Sequence, residues 1–362
     1  MTARPVAAQL PAPALGTLSA VASDGAGGAI GVGATHDLPC PHPLALAGGA
    51  AAWRASRPPA PHACASLAAV ATDGRGGAWA VGEQRGTDGL PHTLTERFDG
   101  RAWSVVPSPS PGRQSALAGV VVSPSGDAVA VGAYLARASG AATKTLIMEN
   151  AGSGWRVVPS PSPGSSGVLN AVAADAAGAL WAVGYAGDGA TPRRALVLAY
   201  APRSGWQAVA TPAQATNAFD GTSLNAVAAG AGAVWAVGRY VDASNRPRVL
   251  TLRYDGRAWS LVTAPPSASN DIALEAVVVA ADGTAWAAGW YADAACRHTL
   301  TMRFVGTWET VASPTPACAP THGAALHGIA IGVQGMLYAV GESGGATLVL
   351  VNRGQGWQIV GG

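Results

Sequence analysis

Short apolar runs alternate with polar, Gly-rich punctuation along the whole chain, and the alternation repeats. In residues 169–212, LNAVAADAAGALWAVGYAGDGATPRRALVLAYAPRSGWQAVATP, a Leu opens a run of small apolar residues. A Gly- or Asp-containing turn follows, and a second run closes on Ala-Val-Gly. A third apolar run and a fourth led by Trp complete the unit. Copies start at Leu18, Leu67, Leu117, Leu169, Leu224, Leu274 and Leu326, at spacings of 49, 50, 52, 55, 50 and 52 residues. A self-similar period of that size is the signature of a repeat fold, propellers included. Runs this short, rich in Val, Ala and Leu and bounded by Gly, Pro, Asp and Ser, read as strands joined by tight turns. The pattern therefore predicts an all-β chain, a seven-bladed β-propeller with four antiparallel strands per blade. Residues 1–17 read as a tail and residues 18–362 as one domain, because stacked repeats bury their faces against one another and count as a single body.

The Trp residues show what holds a unit together. Eleven of the twelve obey the repeat. Trp53, Trp103, Trp155, Trp206, Trp259, Trp308 and Trp357 each open a fourth run, and Trp79, Trp181, Trp235 and Trp286 stand three residues before the Gly that closes a second run. Ile30, Val129 and Tyr338 fill that second place in the other units. Large rings at fixed strand positions are expected to fill the wedge between neighbouring sheets. The first run is built of small residues, as in Ala171-Val172-Ala173-Ala174, which suits the strand nearest a crowded axis.

In this order, a small first strand, a second ending in Val-Gly, a third and a Trp-led fourth, the unit resembles the kelch-type β-propeller repeat, of which the galactose oxidase central domain is an example. It carries one Gly where kelch has two. The linkers PSPSPG at 107–112 and 159–164 resemble those of a group of mostly exported repeat proteins of high-GC bacteria. Gly-His and Trp-Asp signatures of WD repeats are absent. The resemblance extends over residues 18–360, and the last unit owns its fourth strand, Gln358-Ile359-Val360, so closure needs none from the N-terminus. Val6 to Leu10 resembles the end of a unit and is expected to lie against the first or last blade.

Charge narrows the choice of partners. Charged residues make up 12% of the chain against roughly 25% in an average soluble protein, so carboxylates for building sites are few. The net charge is +2 and the 22 basic residues are scattered, which gives no electrostatic footprint for nucleic acid or an anionic membrane. No stretch of about 18 apolar residues is free of Gly and Pro, so membrane insertion is not expected. Residues 1–17 lack the uninterrupted apolar segment of a signal peptide.

The four cysteines are the most specific local signal. Cys40 and Cys296 each lie 22 residues after the Leu of their unit, between second and third strands. Cys64 and Cys318 precede the next unit's Leu by three and eight residues. In an antiparallel blade these loops emerge on one face, so the repetition argues for disulfides Cys40–Cys64 and Cys296–Cys318, each worth about 3 kcal/mol in the chain-entropy model, and for an oxidising compartment. The alternative is zinc held by Cys40, His42, His62 and Cys64, or by Cys296, His298, Cys318 and His322. His92 stands nearly where His298 does, in PHTLTERF against RHTLTMRF, in a unit without cysteine, which makes His there a habit of the repeat. No metal or other cofactor is expected.

A ligand is expected at the axis, on the face where the first strands begin. The residue after each unit's Leu is Ser19, Ala68, Ala118, Asn170, Asn225, Glu275 and His327 in turn, so four consecutive units place a polar group there. Asn170 and Asn225 are read first as ties to backbone. Glu275 and His327 break the repeat and offer acid–base chemistry or cation binding. On the same face Tyr134, Tyr240 and Tyr291 follow the closing Gly by two residues, Tyr185 follows by one, and Trp290 is the Trp outside the repeat. Asp188, Arg193, Arg194, Arg239, Asp242 and Arg246 share their loops. Aromatic faces beside hydrogen-bonding groups suit sugar rings or a protein hot spot, and packing of the loop base is the plainer reading for the Tyr series.

Catalytic signatures are mostly missing: no phosphate loop, His-Glu-x-x-His helix or nucleophile elbow occurs, and Thr72-Asp73-Gly74 reads as a hairpin turn rather than a sialidase-type box. No catalytic residue is assigned. The expectation is an extracytoplasmic, monomeric binding module for glycan or another exported macromolecule. A polysaccharide lyase or hydrolase using Glu275 and His327, and a passive scaffold or sensor, stand as alternatives.

Overall fold

Apolar residues at every second position bury one face of a strand, and continuous apolar runs bury both. Both patterns recur here. In a computed structural model, unit four forms strands Ser166–Ala174, Leu180–Gly187, Arg194–Ala201 and Gly205–Val209, the first half-buried and the second buried on both faces over most of its length. The structure describes residues 9–10, 15–62, 64–123, 125–136, 142–188, 192–213, 221–266, 269, 271–316, 318–319 and 323–360. Among them the regular structure is strand, apart from one 3-10 turn at Val333–Gly335.

Every unit pairs first strand to second, second to third and third to fourth, all antiparallel. The chain is thus an all-β propeller. Seven separate sheets were expected, but hydrogen bonding partitions the strands into six. The cause is a single parallel bridge, Thr143 to Ser166, which joins units three and four into one eight-stranded sheet. First strands pack on one another in succession from Gly16–Ser23 to Ala324–Ile331, and the last returns to the first.

Adjoining units are held by ring pairs. A second-strand ring meets the Trp of the following unit's fourth strand edge-on at Trp79–Trp155, Trp181–Trp259, Trp235–Trp308 and Trp286–Trp357, with centroids 5.1 to 6.2 Å apart. Tyr338 meets Trp53 across the closure at 5.8 Å. The Leu that opens each unit is buried in all seven.

Each first strand carries a β-bulge at the same place. The register slips between Leu18 and Ala20, and between the equivalent residues of the other six units, so the residue after the Leu has no partner opposite it. A bulge re-aims a side chain and tightens the local twist. It also explains the closing Gly. A Cβ on Gly238 would fall on the carbonyl oxygen of Ser223 and one on Gly82 on that of Ser66, and the other five closing glycines meet a carbonyl in the same way. Glycine is required by close approach of two backbones.

The termini and linkers complete the ring. Gln9–Leu10 pairs antiparallel with the fourth strand of unit one, Trp53–Ser56, as the tail's resemblance to a unit end leads one to expect. Val6 to Ala8 lie outside the described residues. The Gly16 amide donates to the Gly345 carbonyl of unit seven at 3.0 Å. Linkers of the PSPSPG type are strapped to their own unit's third strand: the Thr145 hydroxyl meets Ser160 Oγ at 2.6 Å and donates to the Pro161 carbonyl at 2.8 Å, and Thr93 does the same with Ser108 and Pro109. Disulfides Cys40–Cys64 and Cys296–Cys318 both form, with Cα atoms 4.8 and 5.4 Å apart. Each staples a hairpin loop to the strand entry of the following unit, and both imply oxidising surroundings.

Candidate functional site

The seven bulges bring one side chain per unit to the axial mouth on the face where first strands begin. Units one to three place Ser19, Ala68 and Ala118 there, and units four to seven place Asn170, Asn225, Glu275 and His327. The second group forms a line of hydrogen bonds from unit to unit. Asn170 Nδ2 donates to the Leu224 carbonyl at 2.7 Å, and Asn225 Nδ2 donates to the Leu274 carbonyl at 3.0 Å. Both asparagines tie backbone, and the backbone belongs to the next unit. Ser223 Oγ donates to Asn225 Oδ1 at 3.1 Å, and Asn225 Nδ2 also reaches Glu275 Oε2 at 3.2 Å.

Glu275 ends that line. Its other oxygen, Oε1, accepts from Trp290 Nε1 at 3.2 Å. Burial pushes the carboxyl above its ordinary pKa, opposed by the Trp290 bond and by the positive charges of Arg239 and Arg297. His327 is shifted the other way. Burial lowers its pKa, the Glu342 carboxylate raises it, and Arg297 lowers it further. No hydrogen bond joins Glu275 to His327, and among the described residues the imidazole makes none.

Trp290 reads from the sequence as a candidate stacking face, with packing of the loop base as the alternative. Its ring is buried, at 9% exposure, between Ala273 of its own unit and Ala325 of the next. The Arg297 guanidinium lies over it, 4.5 Å from the ring centre. Unit four repeats the arrangement, with Arg193 over Tyr185 at 4.6 Å. Strand register makes these equivalent pairs: Trp290 stands opposite Thr299 and Tyr185 opposite Ala195, so Arg297 and Arg193 both precede that partner by two. Tyr134, Tyr240 and Tyr291 are partly buried against core clusters, which is the packing role. Tyr291 also stacks on His298, at 4.8 Å and 15°.

The remaining polar groups on this face are engaged with one another. His298 Nε2 meets Asp293 Oδ2 at 2.9 Å, and His92 meets Asp88 at the same distance, so the imidazole at this place closes the hairpin loop. Asp293 is held below the usual carboxylate range by the amides of Cys296 and Ala295 and by His298. Arg239 pairs with Asp271 at 3.3 Å, Arg194 with Asp188 at 3.6 Å, and Arg248 with Asp242 at 3.1 Å. Cys296, His298 and Cys318 cluster within 4.8 Å, but the two sulfurs are bonded to each other, which decides between the alternatives of bridge and zinc site there. His322 lies outside the described residues. Asp73, the acid of the Thr-Asp-Gly turn, accepts from the Arg75 and Gly77 amides at 2.8 and 2.9 Å and pairs with Arg97, a structural assignment.

An open cavity of about 460 Å³ lies beside this cluster, between units six and seven, with Asp293, Cys296, Arg297, Gly323 and Glu342 in its wall. Glu342 accepts from Thr17 Oγ1 of unit one at 2.6 Å, with His36 Nε2 4.0 Å away. Arg297 and Glu342 escaped the reading of the sequence. The signal that finds Arg297 is its match to Arg193 once strand register is known.

No protein-family model matches the chain, and no curated protein matches it. Among solved structures, an ulvan lyase of a polysaccharide lyase family, solved with saccharide bound, is similar at TM-score 0.55 and 10% identity, over 98% of this chain and 96% of that one. The β-propeller domain of the trilobed protease from Pyrococcus furiosus, described as having an open velcro topology, is similar at TM-score 0.55 and 9% identity, over 96% and 98%. YCF48 bound to a D1 peptide is similar at TM-score 0.53 and 12% identity, over 95% and 96%. At such identities the likeness shows the propeller fold alone.

Proposed function

We propose that the chain is an extracytoplasmic, seven-bladed, kelch-like propeller that binds glycan at its axial mouth through units four to seven. The observation that carries the site is the bulge series: one backbone device displays small residues on three units and hydrogen-bonding side chains on the next four, joined in a line from Asn170 to Glu275. Sugar hydroxyls are donors and acceptors at once, and a row of amide, carboxyl and imidazole groups matches them. A blade count of seven is supported by the seven Leu-to-Trp units and by the ring of first strands, the merged sheet of units three and four notwithstanding. The two disulfides support an extracytoplasmic setting. Among the described residues no helix is long and apolar enough to cross a membrane.

A lyase or hydrolase reading draws no support from Glu275 and His327, because both carboxyl oxygens of Glu275 accept hydrogen bonds from other residues. The binding reading is tested on a glycan array followed by calorimetric titration of the best saccharide. His327→Ala is expected to weaken binding about tenfold, the cost of one lost polar contact in a part-buried site, with the unfolding midpoint unchanged. Unaltered affinity in both His327→Ala and Asn225→Ala would remove the axial mouth as the site.

A further inference from the structure

The axial face holds more acids and bases than a neutral sugar needs, and they do not cancel. Among the described residues of units four to seven six carboxylates stand on it, Asp242 with its Arg248 among them, and each has a partner. Asp293 is taken by His298 and loop amides, Asp188 by Arg194, Asp271 by Arg239, Glu342 by Thr17, and Glu275 by Trp290 and Asn225. Burial, moreover, favours the neutral form of Glu275. Arg246 is without an ion pair and lies on no ring among the described residues, while Arg193 and Arg297 are left over on rings. Among the described residues neither makes an ion pair, and both are exposed. Each nevertheless lies over an aromatic ring one residue beyond the closing Gly of units four and six, its Cζ 4.6 and 4.5 Å from the ring centre.

A guanidinium held by its face keeps its edge free. That edge is a planar fork of N–H donors matched to the paired oxygens of a carboxylate or sulfate. Stacking on Tyr185 and Trp290 has already restricted the side chain, so less rotamer freedom is lost when a ligand docks. The two forks stand at equivalent positions two units apart, and the unit between them carries Arg239 at the place of the ring. The cavity between units six and seven opens at Arg297.

We propose that the ligand of this site is an acidic glycan, its carboxylate or sulfate groups held by Arg193 and Arg297. The inference rests on the glycan-binding reading above and adds the charge of the ligand to it. Either oxyanion has the chemistry required, and the experiment separates them.

Binding is titrated with three oligosaccharides of one backbone, neutral, uronate-bearing and sulfated, against the full chain and the variants R193A, R297A and the pair, with R156A on the outer side of unit three as control. At least one acidic form is expected to bind about tenfold or more tighter than the neutral form, and the preference to fall about tenfold for each arginine removed, the size of a lost charge-assisted pair. The acidic form whose preference collapses in R297A names the oxyanion. Conversion to Lys should recover part of the affinity, because charge returns without the fork. Neutral saccharide bound as tightly as both acidic ones would overturn the inference and leave glycan binding standing. An equal loss in R156A would overturn it too, by showing unspecific attraction. Absence of binding to any saccharide would overturn the functional reading together with it.

Discussion

Units one to three and units four to seven share a backbone and present different chemistry to the axis. In both groups the first strand is bulged one residue after its Leu, and in both the facing Gly lets the two backbones close. Yet at the bulge units one to three place only Ser19, Ala68 and Ala118, one hydroxyl among them, while units four to seven place Asn170, Asn225, Glu275 and His327. The bulge belongs to the fold, and the side chain it displays is free to vary. The proposed site uses a position that the bulge re-aims in every unit.

The strongest way to break that view is to attack the bulge in both groups. Gly82→Ala in unit two and Gly238→Ala in unit five each drive a Cβ into a backbone carbonyl, an overlap that no rotamer relieves. Each is expected to cost more than about 4 kcal/mol, in the range of the rare severe substitutions, read as loss of cooperative unfolding or a large fall in denaturant midpoint. A severe loss in unit five alone would mean that the bulge serves the polar side and that the shared-scaffold reading is wrong.

The quiet side carries a polar anomaly of its own, hidden in the core. Glu96, on the third strand of unit two, stands opposite Ala80, at the place filled by Leu46, Met148, Leu198, Leu252, Met302 and Leu350 in the other units. It is fully buried, and neither carboxyl oxygen has a hydrogen-bond partner. It shares a sheet face with Leu94, in the cluster between units one and two where Ile30 replaces the ring found at most other junctions. Burial pushes its pKa up to about 8. The folded state therefore holds a proton that the unfolded chain releases above its ordinary value near 4.5, and stability falls as pH rises between those two values and levels off above them. Glu96→Met is expected to stabilise by on the order of 3 kcal/mol more at pH 7 than at pH 4. Glu275 contributes a slope of the same sign that survives this substitution. An unfolding midpoint for Glu96→Met that keeps the full pH slope of the parent would show that Glu96 does not set it.

These residues mark how far the sequence could be read. Period, strand count and disulfide pairing were legible, because Leu, Gly and Trp recur at fixed offsets and two cysteine pairs repeat one relation. Of the two places expected for the N-terminal tail, the first or the last blade, Gln9–Leu10 takes the first, and the first strand starts at Gly16, two residues inside the expected tail. The bulge was not seen, since an extra residue in one strand leaves no mark on composition. Its trace was the lone Gly inside each second strand, a sign of close backbone approach. Glu96 was visible as the one difference between TLTERF and TLTMRF, but a charged residue in a strand reads as solvent-facing until its register is known. For Trp290 the sequence left stacking and packing open, because the small Ala273 and Ala325 that give its ring a place between units are identified only by the fold. Six hydrogen-bonded sheets instead of seven came from a single bridge, Thr143 to Ser166, which no repeat period records.

The gentlest test exchanges the two sides at the bulge itself. Asn225→Ala removes the bond to the Leu274 carbonyl and the contact with Glu275, and is expected to cost about 1 kcal/mol, the net worth of one such bond. Ala118 stands at the same bulge in unit three, and the geometry that carries Asn170 to Leu224 would carry an Asn at 118 to the Leu169 carbonyl of unit four. Ala118→Asn should therefore gain up to about 1 kcal/mol, measured as a rise in denaturant midpoint with unchanged slope. Such a gain would show that units one to three can accept a polar axis and simply lack it. A loss of similar size would mean that their axial side is too crowded for it, a reading for which the close approach of Ala171 to Gly119 gives a basis, and the contrast between the two groups would then lie in packing rather than in the choice of side chain.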